Sequence, residues 1–274
     1  MNKKLKDIVF IAFDVETTSL YDFSGRMVEI GAVKFDLPGT VYEEFSSLIN
    51  PGIPIPEAVV AIHGISNEMV ATEKGAREVL QAFLAFTGTS DAVMIAHNAS
   101  FDIGFISNDL VRGGLSIPQN RVVDTVSLAK KVFPEAGLYN LEHLVNFLRI
   151  DPAVSHRALG DALMAREVFL RCVERGNLLS EQDLLTSATV LSFEPSLDFT
   201  VEFPPGFEEI CKAIEEGIKV KMSYSGGTKG KKVRTVTPLG LMGKNGVLYL
   251  SAFCHIDQYE KSFRLDRIEK FWIE

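Results

Sequence analysis

One stretch constrains the fold more than any other: Ile8-Val-Phe-Ile-Ala-Phe13, closed at once by Asp14-Val-Glu16. Six consecutive apolar residues are too few for a membrane helix, which needs about 20. They suit a central β-strand covered on both faces. A secretory leader also begins with bases and an apolar run, but this run is too short and ends on an acid. Strand side chains alternate, so Asp14 and Glu16 point to one face at the end of that strand. Two carboxylates at the mouth of a buried sheet form either a solvated strand end or the start of a cation site.

The rest of the chain is patterned like an α/β protein. Met27 to Phe35 and Val41 to Ile49 are β-rich, with Leu37-Pro-Gly-Thr40 between them, which predicts a three-stranded meander. Ala76 to Phe86 has helical spacing, and Ala92 to Ala96 reads as a second buried strand. Helical patterns follow at about 101–111, 125–132, 141–148 and 159–173. This order implies a mixed sheet with helices packed on it. Past Gly176 the pattern weakens, and residues 176–206 carry five acids and no base. A helix over Phe207 to Glu216, ending at Gly217, is expected next. Short β-like runs at 218–224, 233–238, 246–253 and 261–265 then predict a small, strongly bent sheet or barrel.

Charge divides along the same line. Residues 1–175 hold 16 Lys+Arg against 22 Asp+Glu, and residues 207–274 hold 12 against 9, within a net charge of −8. An acidic chain does not coat nucleic acid by charge alone. It is compatible with an enzyme that grips a strand end and recruits cations. Cys172, Cys211 and Cys254 are far apart and odd in number, so neither a disulfide framework nor a zinc site is expected. A reducing, cytoplasmic setting with no membrane association is the corresponding expectation.

Two further segments carry candidate chemistry. His97-Asn-Ala-Ser-Phe-Asp102 follows an apolar strand, with Asn98 or Ser100 placed to cap the next helix and Asp102 in its first turn. In Ser155-His-Arg-Ala-Leu-Gly-Asp161, five residues of helix rotate by about 140°, so His156 and Asp161 converge only if His156 lies in the preceding loop. Each segment alone is also an ordinary cap. Together, four carboxylates from three segments and one His are what a two-metal phosphoryl-transfer site requires. Asp124, directly before a helix, reads as a cap, and His97 as structural.

Asp14-x-Glu16, His97-Asn-Ala-Ser-Phe-Asp102 and His156-x-x-x-x-Asp161 resemble, in order, the three motifs of the DEDDh 3′–5′ exonucleases. This is the family of the proofreading ε subunit of bacterial DNA polymerase III. The resemblance covers residues 6–175 and implies an RNase H-like fold. It implies Asp14, Glu16, Asp102 and Asp161 as ligands of two Mg²⁺ or Mn²⁺ ions, and His156 as general base, with an unperturbed pKa of ~6.5. The substrate implied is a single-stranded 3′ end, shortened to 5′-mononucleotides. Thr17, Thr18, His63 and Asn98 are the candidate contacts to the terminal nucleotide. DNA is the favoured strand, with RNA, or a ligand-sensing regulator that keeps the nuclease fold as a scaffold, as alternatives.

Residues 207–274 resemble a WYL domain through Ile218 to Tyr224, Arg234 to Pro238, Gly246 to Phe253 and Ser262 to Ile268. The signature triplet stands here as Leu248-Tyr249-Leu250, without the Trp. That resemblance implies an SH3- or Sm-like small barrel that binds nucleic acid or a nucleotide-like regulator. Tyr249, Arg264, Arg267 and Arg234 are the matching candidate residues. The expected organisation is thus an exonuclease domain (6–175), an acidic linker (176–206) and a WYL domain (207–274). A barrel in place of a polymerase-binding tail points to a free-standing repair or processing enzyme.

Overall fold

A computed structural model describes residues 3–20, 22, 25–88, 90–151, 157–225 and 232–273. The chain forms two compact units, Met1–Pro51 with Ile55–Pro195, and Ser196–Glu274 with Gly52–Pro54. Among the described residues no helix is long and apolar enough to cross a membrane.

The first unit is built on β1 (Phe10–Thr17), β2 (Met27–Phe35) and β3 (Val41–Leu48), an antiparallel meander as the β-rich segments and the turn between them predict. Two short helices, α1 (Glu57–His63) and α2 (Asn67–Val70), precede α3 (Ala76–Thr87). Then follow β4 (Val93–Ala96), α4 (Ser100–Arg112), β5 (Val122–Asp124), α5 (Thr125–Val132), α6 (Leu141–Phe147) and α7 (Ala158–Arg175). The unit closes with α8 (Glu181–Ser187) and β6 (Val190–Leu191), which pairs antiparallel with β5. β4 is parallel to both β1 and β5, giving one mixed sheet in the order β3-β2-β1-β4-β5-β6. Its two faces bury separate cores. Phe10 and Ala12 of β1 pack toward Val168, Phe169 and Cys172 of α7, while Ile11, Phe13 and Val15 pack toward α3 and α4. By the period of two, Asp14 and Glu16 continue the face that α7 covers.

The second unit opens with α9 (Glu208–Glu216), ended by Gly217 in the left-handed conformation at φ 66°. β7 (Val220–Tyr224), β8 (Lys232–Lys244), β9 (Val247–Cys254), β10 (Tyr259–Arg264) and β11 (Ile268–Ile273) follow. Ile210 and Ala213 of α9 lie in one core with Val220, Met222, Val236, Leu250, Ala252, Cys254 and Phe263. The sheet order is β10-β9-β8-β7-β11, antiparallel throughout. The barrel expected from the sequence is therefore an open five-stranded sheet among the described residues. β11 returns to β7 at one edge and β10 stays at the other, with no pairing between them. β8 also runs past Pro238, where the sequence pattern had ended it. A register shift between Pro238 and Gly240 absorbs the missing N–H donor.

Candidate active site

Pairing β1 with β2 sets the floor of the site. Asp14 stands opposite Gly31, and Glu16 opposite Glu29. A Cβ on Gly31 would lie 2.2 Å from Leu159 N and 2.4 Å from Ala158 C, so the first turn of α7 rests directly on β2 at this glycine. That seat brings Asp161, in the first turn of α7, over the end of β1. Carboxylate oxygens of Asp14, Glu16 and Asp161 lie within 4.8 Å of one another.

Asp102 arrives from the opposite helix layer, in the first turn of α4. It is 2 % exposed, and its Oδ1 accepts a 3.0 Å hydrogen bond from the Val15 N–H, between the two β1 acids. Neither Asn98 nor Ser100 caps α4: the N-cap is Ala99, and Asn98 takes a left-handed conformation at φ 65°. Asp124 does cap α5 through the Val126 N–H (3.1 Å), and the same Oδ1 accepts from Asn98 N (3.0 Å). Both ring nitrogens of His97 are engaged, by Thr125 Oγ1 (2.8 Å) and the Tyr139 carbonyl (2.9 Å), as befits a structural role.

The electrostatics follow from crowding acids into a poorly solvated cleft. Burial, then the charges of Asp102, Asp161, Glu16 and Glu29, hold the Asp14 carboxyl well above its usual range. Glu16 is pushed up to about 8, chiefly by burial and then by Asp161 and Glu29, with Arg157 opposing. Asp102 is also raised, by burial first, although the Val15 N–H favours its ionised form. All the donors are hard oxygens, and their mutual repulsion is what a small divalent cation relieves. The set fits the cations that the sequence implies.

The other candidates are distributed as follows. His156 lies outside the described residues. Thr17 donates its hydroxyl to the Ser19 carbonyl (2.7 Å), and Thr18 Oγ1 accepts from the Arg26 N–H (3.0 Å). Both threonines thus hold the segment that leaves β1. His63, 4 % exposed, accepts the Ile65 N–H at Nδ1 (2.9 Å), and its Nε2 is buried without a hydrogen-bond partner. Burial lowers its pKa, against the Thr17 backbone and the Glu29 charge.

In the second unit, Tyr249 is half-buried on β9, opposite Arg264 at the end of β10. Arg264 binds Asp266 through Nε (3.0 Å) and Nη2 (2.7 Å), and Arg267 is exposed. Arg234 is 5 % exposed and directed inward, with Nη1 3.1 Å from Asp257 Oδ2.

Glu29 and Arg157 were not among the residues singled out from the sequence. Arg157 grips Glu29 through Nε and Nη2 at 2.6–3.1 Å, and the Ala158 N–H adds a 2.9 Å bond. The available signal was Glu29 itself, an acid within the otherwise apolar Met27-Val-Glu-Ile-Gly-Ala-Val33.

Comparison with known proteins agrees with this geometry. Residues 11–169 match the exonuclease (RNase T) family, and residues 205–272 match the WYL domain. The chain is 36 % identical over 166 residues to a DNA polymerase III PolC-type protein of Caldanaerobacter subterraneus subsp. tengcongensis. It is 38 % identical over 192 residues to a DNA polymerase III subunit epsilon-like protein of Rhodobacter capsulatus. These matches take in 61 % and 69 % of this chain, but it spans only 12 % and 26 % of those longer relatives. Among solved structures, exonuclease X in complex with 5′-overhanging duplex DNA superposes with a TM-score of 0.52 at 26 % identity. That match covers 64 % of this chain and 97 % of the other. The chain belongs to the exonuclease family, and carries a WYL domain after its exonuclease domain.

Proposed function

We propose that the protein is a divalent-cation-dependent 3′–5′ exonuclease that removes 5′-mononucleotides from single-stranded DNA ends. The observation that carries this reading is the convergence of Asp14, Glu16 and Asp161 within 4.8 Å, backed by buried Asp102. Two Mg²⁺ or Mn²⁺ ions held by these four carboxylates would acidify a water and neutralise charge on the departing 3′ oxygen. His156, by its place in the motif, takes the proton from the attacking water. Thr17, Thr18, His63 and Asn98, by their places in and beside the motifs, are the residues proposed to contact the terminal nucleotide. DNA is favoured because the relatives similar to the first unit are named as DNA polymerase III proteins, and exonuclease X was solved with DNA.

The WYL domain has a separate role in this reading. Its 11 bases against five acids between Gly217 and Glu274, with aromatic residues interleaved, suit binding of a single strand or a nucleotide-like regulator. Tyr249, Arg264 and Arg267 are the residues proposed to make that contact. Arg234 would act indirectly, because its guanidinium is turned to Asp257. The test of the catalytic reading is stepwise shortening of 5′-labelled DNA and RNA strands, with a chelator and Asp14→Ala as controls. No shortening of either strand by folded, cation-loaded protein overturns it.

A further inference from the structure

Glu29 is a carboxylate at 1 % exposure, placed directly opposite Glu16 on the face that already holds Asp14. Its charge raises the pKa of both neighbours, so it adds to the repulsion that the site must overcome. An apolar residue would fill a buried strand position without the cost of desolvating an acid. Glu29 is also fully engaged. Oε1 accepts from Arg157 Nε and Nη2, and Oε2 from Arg157 Nε and the Ala158 N–H. It therefore has little lone-pair capacity left for a cation. All of these bonds reach one place, the N-cap residue and first residue of α7. Asp161 lies three residues further along that first turn, and Arg157 follows His156 directly in the chain.

We propose that Glu29 and Arg157 form a positioning pair that fixes the first turn of α7, and with it the placement of Asp161 against Asp14 and Glu16. The proposal rests on reading those three acids as a cation site. Arg157 is suited to the task because its planar fork locks both distance and orientation, which a lysine does not do. The Gly31 seat fixes how closely α7 approaches β2, and the Glu29 clamp fixes how that turn is rotated.

The test is Mn²⁺ affinity by titration calorimetry on the full chain, for wild type, Glu29→Gln, Arg157→Gln and Arg157→Lys. A change of field alone would weaken binding in Glu29→Gln, tighten it in Arg157→Gln and leave Arg157→Lys unchanged. Positioning weakens it in all three, by about 10- to 100-fold, the usual loss for residues that orient metal ligands. The double variant Glu29→Gln/Arg157→Gln should be no worse than the weaker single variant. Should Glu29→Gln fail to fold, the Arg157 variants carry the test, since that side chain is 40 % exposed. Wild-type affinity in folded Arg157→Lys, or tighter binding in Arg157→Gln, overturns the pair. A wild type that binds no Mn²⁺ overturns the pair and the cation site together. A wild type that binds Mn²⁺ but shortens no strand overturns only the exonuclease reading.

Discussion

At the scale of single residues, the site gathers acids whose burial and mutual repulsion favour the protonated form. Asp14, Asp102 and Glu16 all have raised pKa values, Glu16 to about 8. The folded, cation-free protein therefore binds more protons than the unfolded chain between the ordinary carboxylate range and about pH 8. The sign follows directly: the contribution of these groups is fully present at low pH and is lost as pH rises through that window. Urea melts in chelator should show a midpoint that falls from pH 5.5 to pH 8, with Mg²⁺ or Mn²⁺ reversing the fall. Cation binding at pH 7 should also release about one proton or more, seen as a dependence of the calorimetric heat on the buffer's ionisation enthalpy. Binding without proton release would mean that the acids are already ionised. The three motifs were legible in the sequence because each acid follows an apolar strand or opens a helix. Glu29 and Arg157 were not, because their importance lies in a strand register and a contact spanning 128 residues.

Among the elements, α7 decides the geometry. Its apolar residues Met164, Val168, Phe169 and Cys172 face the sheet, and this spacing made the helix visible from sequence. What spacing does not show is how closely the helix approaches. Gly31 answers that, since any Cβ there meets backbone rather than a side chain able to rotate away. Gly31→Ala should cost about 1–3 kcal/mol, the usual range for overpacking, as measured by chemical denaturation. It should also lower cleavage by more than the loss of folded protein explains, because the lifted turn carries Asp161. Activity that tracks the folded fraction alone would remove the seat's role in the site. The elements that pattern reading did not supply are short or irregular. β5 has three residues, β6 has two, and α1 and α2 have seven and four, too few to display a period. In contrast α5, over Thr125–Val132, begins where Asp124 caps it and spans the residues its spacing predicts.

At the scale of the whole molecule, an acidic exonuclease domain shares a chain with a basic WYL domain. The mixed sheet and the antiparallel C-terminal sheet were both foreseeable from the order of β-rich and helical segments. That the edges of the second sheet, β10 and β11, do not pair was not, because strand pairing at an edge leaves no trace in local pattern. The Arg234 side chain was likewise ambiguous until burial assigned it to Asp257. If the second unit engages a strand through its exposed cations, Arg267→Ala should weaken single-stranded DNA binding and reduce the salt slope by about 1. Fluorescence anisotropy across a salt series reads this directly, and an unchanged slope would remove Arg267 from the contact.

The most direct measurement is the degradation of 5′-labelled single-stranded DNA and RNA oligonucleotides with Mg²⁺ or Mn²⁺, beside Asp14→Ala and a chelator. A ladder shortening from the 3′ end, stronger on DNA, is expected for the wild type, with at least about a 100-fold loss in both controls. Intact strands with folded, cation-loaded protein, or a ladder that persists in Asp14→Ala, would contradict a carboxylate-held cation site as the centre of this molecule's chemistry.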